Sequence, residues 1–353
     1  MNSRQYIALN NYSVTVSLSG ALRGVMPRHH CYGVDRLIEE GCDVVAIERE
    51  SSLAARAGRR LVPRRLGAWL DPLQLSCGYW RAARTTGTIY ALNAYVLGNV
   101  PLGRVFGTRR PPIVAVVGDA FGGRYARYLA HNIDAAICLT EKAAETLASN
   151  GLRDTIFAPW GPDLSFKGYE SVPPDQFRLV ALGRTARDLD TLISAIGLEN
   201  VDSILEVPSG TALPPGAVSL GDLASASGYT KFEEGSYLRP GVAFRQASVF
   251  AVPLHQGFGG PVGLTEANDA LALGRPIIMT RTQGLGFDIE KEGMGIWVDP
   301  RDVEGWRNAI RLLRDDIGLR RQMGVNARRF AESQWNNTIF STKLNAFLLQ
   351  TGL

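Results

Sequence analysis

The chain of 353 residues has no apolar run approaching the ~18 to 20 residues that a membrane-spanning helix requires. Its opening, MNSRQYIALNNYSVTVSLSG, has neither the charged start nor the compact apolar centre of a secretory leader, so a cytoplasmic location is expected. Four cysteines (Cys31, Cys42, Cys77, Cys138) form no CxxC and stand at no Cys/His ligand spacing, which argues against a disulfide framework and a zinc site. Aromatic residues make up only 8% and charged residues 20%, against 45% hydrophobic, a balance that excludes disordered and fibrous classes. Lysine is missing altogether between Arg23 and Arg127, where sixteen arginines face eight acids. That segment carries +8 and the remainder −4 of the net +4, so an anionic partner is expected on the arginine-rich part.

Single cores stop growing near ~250 to 300 residues, so two domains are expected. Short apolar runs alternate with helical patterns, the mark of βαβ units and parallel sheets. The runs read as strands are 14–19, 43–47, 88–92, 113–118 and 135–140, then 177–183, 203–207, 218–220, 248–254, 276–280 and 295–298. Between the two series, APWGPDLSFKGYESVPPDQ (158–176) is rich in Pro, Gly, Ser and Asp and reads as a linker. The expected architecture is α/β: two doubly wound, Rossmann-like domains over 1–160 and 172–334, with a last helix (335–353) returning to the first. Ligands of such folds sit at the carboxyl ends of the strands, here in a cleft that the two domains face.

In HQGFGGPVGLTEANDALALGRPIIMT (255–280), the glycines lie between a strand and a helix that Gly274 and Pro276 end. Gly257, Gly259, Gly260 and Gly263 let backbone N–H groups approach a ligand, and the helix start favours phosphate. Glu266, in the first turn, suits the diol of a ribose on the same nucleotide. An ordinary glycine turn with a glutamate placed for the helix dipole reads equally well. Arg184 and Arg187 follow the strand at 177–183 and could reach a diphosphate through forked, charge-assisted contacts. Asp188 and Asp190 spell DxD, yet residues two apart on a helix face different ways, so they are assigned to capping and solvent and no metal is expected. His255 is the histidine expected nearest the glycines.

The order GR…DTL…A, ASVFAVP, QGFGGPV…EA…LG-P-I and GIWVDP-D…W-NAI resembles the carboxyl-terminal domain of GT-B-fold retaining glycosyltransferases of the family 4 group. HNIDAAICLTEKAAETL (131–147) and PWGPDLSF (159–166) are similar to the strand and linker that precede it. The resemblance covers about the last two thirds of the chain. It implies a nucleotide-sugar donor as substrate, no further cofactor, a glycan or polyprenyl-linked acceptor, and front-side transfer without a protein nucleophile.

The resemblance further implies that Arg184 and Arg187 stabilise the departing diphosphate, Arg187 standing in for the family's lysine, and that Glu266 grips the ribose. Gln256 falls where the family has a glutamate near the donor sugar, two residues further from Glu266 than usual, and carries no charge to support an oxocarbenium-like transition state. Phe258 belongs to the same donor-binding turn. SGALRG (19–24) loosely represents the family's glycine loop, placing Gly24 and the nearby His29 on the acceptor side. Asp119 stands where the family often has a histidine, and could bond the sugar, orient the acceptor hydroxyl or cap the following helix.

The segment 56–84 mixes Arg56, Arg59, Arg60, Arg64 and Arg65 with Trp69, Tyr79 and Trp80, a composition that fits an anionic membrane surface as well as a solvated loop. No nucleic-acid module accompanies it, and no nucleic-acid partner is expected. A GT-B epimerase, an inverting transferase, and a relative that binds a nucleotide sugar or partner transferase without turnover remain as alternatives.

Overall fold

The computed structural model describes residues 4–48, 72–97, 110–118, 123–172, 174–228, 236–257, 260–282 and 284–353. The chain divides into two compact units. One comprises Met1–Leu22, Arg28–Trp160 and Thr338–Leu353; the other comprises Arg23–Pro27 and Gly161–Asn337.

In the first unit, β1 (Gln5–Leu9), β2 (Asp43–Ile47), β3 (Thr88–Ala91), β4 (Ile113–Val117), β5 (Ala135–Cys138) and β6 (Asp154–Phe157) form a parallel sheet in the order β2-β1-β3-β4-β5-β6. β3, β4 and β5 are buried along their whole length, as strands covered on both faces should be. The Asn337–Thr351 helix contributes its buried Phe340, Leu344 and Phe347, and Tyr6 donates its hydroxyl to the Leu353 carbonyl at 2.7 Å.

The expected first strand, 14–19, is instead the Val14–Leu22 helix. VTVSLS alternates as a strand would, but Ser13 Oγ accepts the Val16 N–H at 3.1 Å, and Glu48 takes both the N–H and the hydroxyl of Thr15. A capped helix start with Val14, Ser17 and Gly20 buried on one side outweighs the β-branched propensity. The true first strand is the short QYIAL, whose Tyr6 to Leu9 are buried. SGALRG consequently spans the end of a helix and its exit, and the turn after the first strand is Asn10–Ser13.

In the second unit, β7 (Leu179–Ala181), β8 (Ser203–Leu205), β9 (Ala217–Ser219), β10 (Val249–Val252), β11 (Ile277–Thr280) and β12 (Gly295–Val298) form a second parallel sheet. Its order, β12-β11-β10-β7-β8-β9, puts the switch in winding direction between β7 and β10, with Val249 opposite Leu179. In doubly wound sheets, ligands bind outside the carboxyl ends of the strands at such a switch point. The core beneath is built from Leu179, Ala181, Val249, Ala251, Ile278, Trp306 and Ile310.

The proline- and glycine-rich stretch 158–176 is built into this unit from Gly161 onward. A Cβ on Gly161 would lie 2.3 Å from the Trp335 carbonyl carbon, and Arg275, 1% exposed, donates to the carbonyls of Ala247 and Ser171.

At the far end of the Leu189–Glu199 helix, Glu199 accepts from Arg311 and Arg307, with Arg314 3.5 Å away. The hydrogen bond from Arg311, then that from Arg307, pull its carboxyl from the ordinary 4.5 down to about 2. Because the folded pKa is depressed, the stability this cluster adds is present above about 4.5 and is lost as pH falls towards 2. The melting-temperature difference between wild type and Glu199→Gln should therefore shrink steadily from pH 6 to pH 3. A difference independent of pH would contradict the assignment.

Candidate functional site

Two backbone hydrogen bonds, which together make an antiparallel bridge between Arg187 and Leu254, fix the loop after β7 to the loop after β10. His255 N–H bonds the Ala186 carbonyl at 3.0 Å, and Asp188 N–H bonds the Pro253 carbonyl at 3.2 Å. Ala186 adopts φ 56°, a left-handed conformation unfavourable for a residue with a Cβ.

Arg187 does not point outward. Its Nε donates to Glu266 Oε1 at 3.2 Å, one terminal nitrogen bonds Glu266 Oε2, and the other bonds the Thr185 carbonyl. The two side chains are only 5% and 6% exposed. Gly183 makes the pairing possible, since a Cβ there would stand 1.9 Å from Glu266 Oε1 and 2.0 Å from an Arg187 terminal nitrogen. Glu266 is supplied by the first turn of the Leu264–Leu273 helix, entered through Gly263 at φ 88°. A Cβ on Gly263 would meet Val252 and Met279 at 2.7 and 2.8 Å, so the helix start lies tight against β10 and β11.

The sequence reading set Arg187 and Glu266 on separate parts of a ligand, whereas the structure couples them into one buried, forked ion pair. The physical reason is desolvation: neither charge is stable in that depth alone. Arg184 behaves differently. Its side chain is 62% exposed, and Glu206 Oε1 lies 3.9 Å from its Nε. The Arg239 guanidinium contacts the same carboxylate at 3.3 and 3.2 Å.

Glu206, Arg239 and Gly183 were not singled out from the sequence. Only the lone acid at the end of the apolar run SILEV signalled them. His255, Gln256 and Gly257 are exposed in the turn after β10, with Gly257 at φ 90°, and Gly260 is buried. Phe258, Gly259, Asp119 and the arginines from Arg56 to Arg65 lie outside the described residues.

Asp188 is buried and caps the Leu189–Glu199 helix, accepting the Thr191 hydroxyl at 2.8 Å, while Asp190 is exposed beside it in the first turn.

Two acceptor-side expectations are placed elsewhere. Gly24 lies in the segment 23–27 that belongs to the second unit, where Tyr237 N–H bonds the Val25 carbonyl at 2.7 Å. His29 is fully buried, its carbonyl taking the Trp160 indole N–H at 2.8 Å and its ring standing edge-on to Trp160 at 5.0 Å. Burial, then the neighbouring His30, drive its pKa well below 6.5, so it stays neutral. The short 3-10 turn Arg28–Cys31 tucks the ring under Trp160 instead of leaving it facing solvent.

One turn beyond Glu266, Asp269 accepts the Tyr169 hydroxyl at 2.7 Å. Burial raises its pKa well above 3.8, with the Tyr169 bond opposing and Glu266 adding to the rise. A raised folded pKa means that its contribution to stability is complete below about 3.8 and is lost as pH rises. Asp269→Asn should therefore melt higher than wild type at pH 8, with the gap closing towards pH 4. An equal pH dependence in both proteins would refute the raised pKa of Asp269.

No family model matches the chain. A stretch of 96 residues is 36% identical to D-inositol 3-phosphate glycosyltransferase of Paenarthrobacter aurescens, covering 27% of this chain and 22% of that protein. A stretch of 84 residues is 34% identical to the protein of the same description from Corynebacterium kroppenstedtii, covering 24% and 18%. In these matches the chain spans about a fifth of its curated relatives' length.

Among solved structures, sucrose-phosphate synthase from Thermosynechococcus elongatus superposes with a TM-score of 0.70 at 14% identity over 99% of both chains. Anabaena HepE, solved in complex with UDP and glucose, superposes with a TM-score of 0.64 at 13% identity over 99% of this chain and 100% of that one. The chain has the GT-B fold of these proteins, and the curated relatives it resembles are glycosyltransferases.

Proposed function

We propose that this chain is a metal-independent, retaining glycosyltransferase that moves a sugar from a nucleotide-diphosphate donor to a glycan or polyprenyl-linked acceptor during bacterial surface polysaccharide synthesis. The observation that carries the reading is the buried Arg187–Glu266 pair, which joins the loop after β7 to the first turn of the Leu264–Leu273 helix, with the exposed Arg184 on the same β7 loop. Breaking a glycosyl–phosphate bond leaves a diphosphate whose new charge needs fixed positive partners more than it needs a nucleophile. Arg184 supplies an exposed guanidinium, and the N–H groups at the helix mouth supply fixed dipoles. Arg187, held by Glu266 and the Thr185 carbonyl, adds positive charge beneath the loop that carries Arg184. In front-side attack the leaving phosphate takes the proton of the acceptor hydroxyl, so no protein base is required. The capping duty of Asp188 supports a mechanism that does not use the DxD for a metal.

The test is slow donor hydrolysis with UDP- and GDP-sugars, followed by transfer to a lipid-linked acceptor with the product read by NMR. Hydrolysis unaffected by EDTA and a retained anomeric configuration are expected. Loss with EDTA that magnesium restores, or an inverted product, would refute those two elements separately.

A second reading, donor binding without turnover, draws on Gln256 in place of a carboxylate and on Arg187 already engaged by Glu266 and Thr185. Calorimetric binding of a donor with no release of nucleotide would favour it.

The location that fits this reading is the cytoplasm at the inner face of the plasma membrane. Among the described residues, no helix is long and apolar enough to cross a membrane. The Pro72–Arg84 helix ends in Arg81 and Arg84, the latter over the half-exposed Trp80 ring at 3.6 Å, which suits contact with an anionic surface.

A further inference from the structure

We propose that the Pro72–Arg84 and Gly123–Asn132 helices of the first unit form a docking face for an acidic glycan, a sugar polymer that carries carboxylate or phosphate groups along its length. The inference rests on the transferase reading and names the class of its acceptor. From Pro72 to Ile133 the chain has seven arginines, no lysine and a single acid, Asp119. Neither helix contains an acid at all.

Both helices cover the same face of the first sheet. Ala82 of one, and Ala126 and Leu129 of the other, pack into a single core cluster with Ala94 and Leu97 of the short turn that follows β3. Tyr125 and Tyr128, stacked at 5.7 Å, donate their hydroxyls to the Ala94 and Leu97 carbonyls at 3.1 and 2.8 Å, which holds turn and helix together. Arg124, Arg127 and His131 then follow at i, i+3 and i+7 as one exposed stripe. On the other helix Trp80, Arg81 and Arg84 are exposed, with the Arg84 guanidinium 3.6 Å from the Trp80 ring centre. Tyr95, in the turn, is exposed as well.

Pairing sets these arginines apart. Arg36, Arg307, Arg311 and Arg328, on other helices, each hold a carboxylate at 2.7 to 3.0 Å. Among the described residues no carboxylate pairs with Arg81, Arg84, Arg124 or Arg127. Two like charges three positions apart oppose each other on a helix, so both arginine pairs are unfavourable until an anion joins them. Guanidinium groups take carboxylate and phosphate through forked, charge-assisted bonds, and exposed indole and phenol rings offer flat apolar surface to the apolar side of a sugar ring. A bilayer fits less well, because a face that enters the headgroup layer needs apolar side chains to bury. Among the described side chains of the two helices, Trp80 is the only large apolar one exposed.

The face has a direction. The Ala94–Leu97 turn and the start of the Gly123–Asn132 helix lie at the carboxyl ends of β3 and β4, where ligands of such sheets bind. Arg84 precedes β3 and His131 precedes β5, so both lie towards the amino ends. A polymer lying along the arginines would have one end at the rim and the rest of its length held on the helices.

The test is calorimetric binding of oligogalacturonate, a carboxylated glycan, beside a neutral maltooligosaccharide of equal length, with phosphatidylglycerol vesicles and single-stranded DNA as further probes. Wild type should bind oligogalacturonate roughly tenfold or more tightly than the neutral chain, with affinity falling as salt is raised. Arg81→Gln/Arg84→Gln and Arg124→Gln/Arg127→Gln should each weaken that binding several-fold, and the fourfold variant should abolish the preference. Trp80→Ala should weaken it at unchanged salt dependence, because a ring contact carries no charge. The two double variants keep the result readable if the fourfold variant does not fold. Equal binding of both oligosaccharides, or a folded fourfold variant that keeps the preference, would overturn the inference. So would vesicles or DNA bound through the same arginines more tightly than oligogalacturonate. Donor hydrolysis by wild type, measured in parallel, reads the transferase assignment separately; its absence would strike that assignment and with it the naming of the glycan as acceptor.

Discussion

Glu266→Gln should lower the free energy of unfolding by about 3 to 5 kcal/mol, because removing one partner leaves a buried guanidinium without its counter-charge. The estimate applies here since both side chains are almost wholly buried and joined through two nitrogens. The double variant Arg187→Met/Glu266→Leu should recover most of that loss, as replacing a buried ion pair with apolar groups of similar volume is often neutral. Donor cleavage should stay absent in the double variant. Stability and chemistry then separate: a stable protein without the pair and without activity shows that the pair serves the reaction. Denaturant titration of the single and double variants checks the first part, and a single variant within about 0.5 kcal/mol of wild type would contradict the buried pairing.

Arg184→Ala should reduce donor hydrolysis on the order of a hundredfold or more, the usual effect of removing one preorganised donor to developing charge. The melting temperature should barely move. Arg184 is 62% exposed, its contact with Glu206 is 3.9 Å, and exposed ion pairs contribute about 0 to 1 kcal/mol. A lysine at the same position should restore part of the rate, because the charge returns without the fork. Full activity in the alanine variant would remove Arg184 from the leaving-group site and shift attention to the helix mouth.

The second unit was largely legible from sequence because each β-run there is short, apolar and bounded by a turn residue, and each of its helices that begins at Asp188, Ser219, Asp302 or Asp316 opens on a side-chain cap. Three of the runs, 177–183, 203–207 and 248–254, extend two to four residues beyond their strands, as at 177–183, where only Leu179–Ala181 pairs in the sheet, while 295–298 matches its strand. The first unit was harder. QYIAL is no longer than five residues and follows polar Ser-Arg, so the stronger alternation of VTVSLS took its place. Deciding between them needs the contacts of Ser13 and Glu48, and the Glu48 contact is tertiary.

At the site, the sequence points to Arg187 and Glu266 separately, but not to their holding each other. Arg187 and Glu266 are 79 positions apart, and their pairing depends on the missing side chain of Gly183, which no periodicity reveals. His29 shows the converse: a histidine beside a polar turn looks exposed until the Trp160 ring packs against it.

The most direct measurement is diffraction from crystals soaked with UDP or GDP. The diphosphate is expected at the carboxyl ends of β7 and β10, bonded by Arg184 and by N–H groups at the start of the Leu264–Leu273 helix, with the Arg187–Glu266 pair beneath it. Nucleotide bound elsewhere on the protein, with Arg184 turned away from it, would contradict that placement.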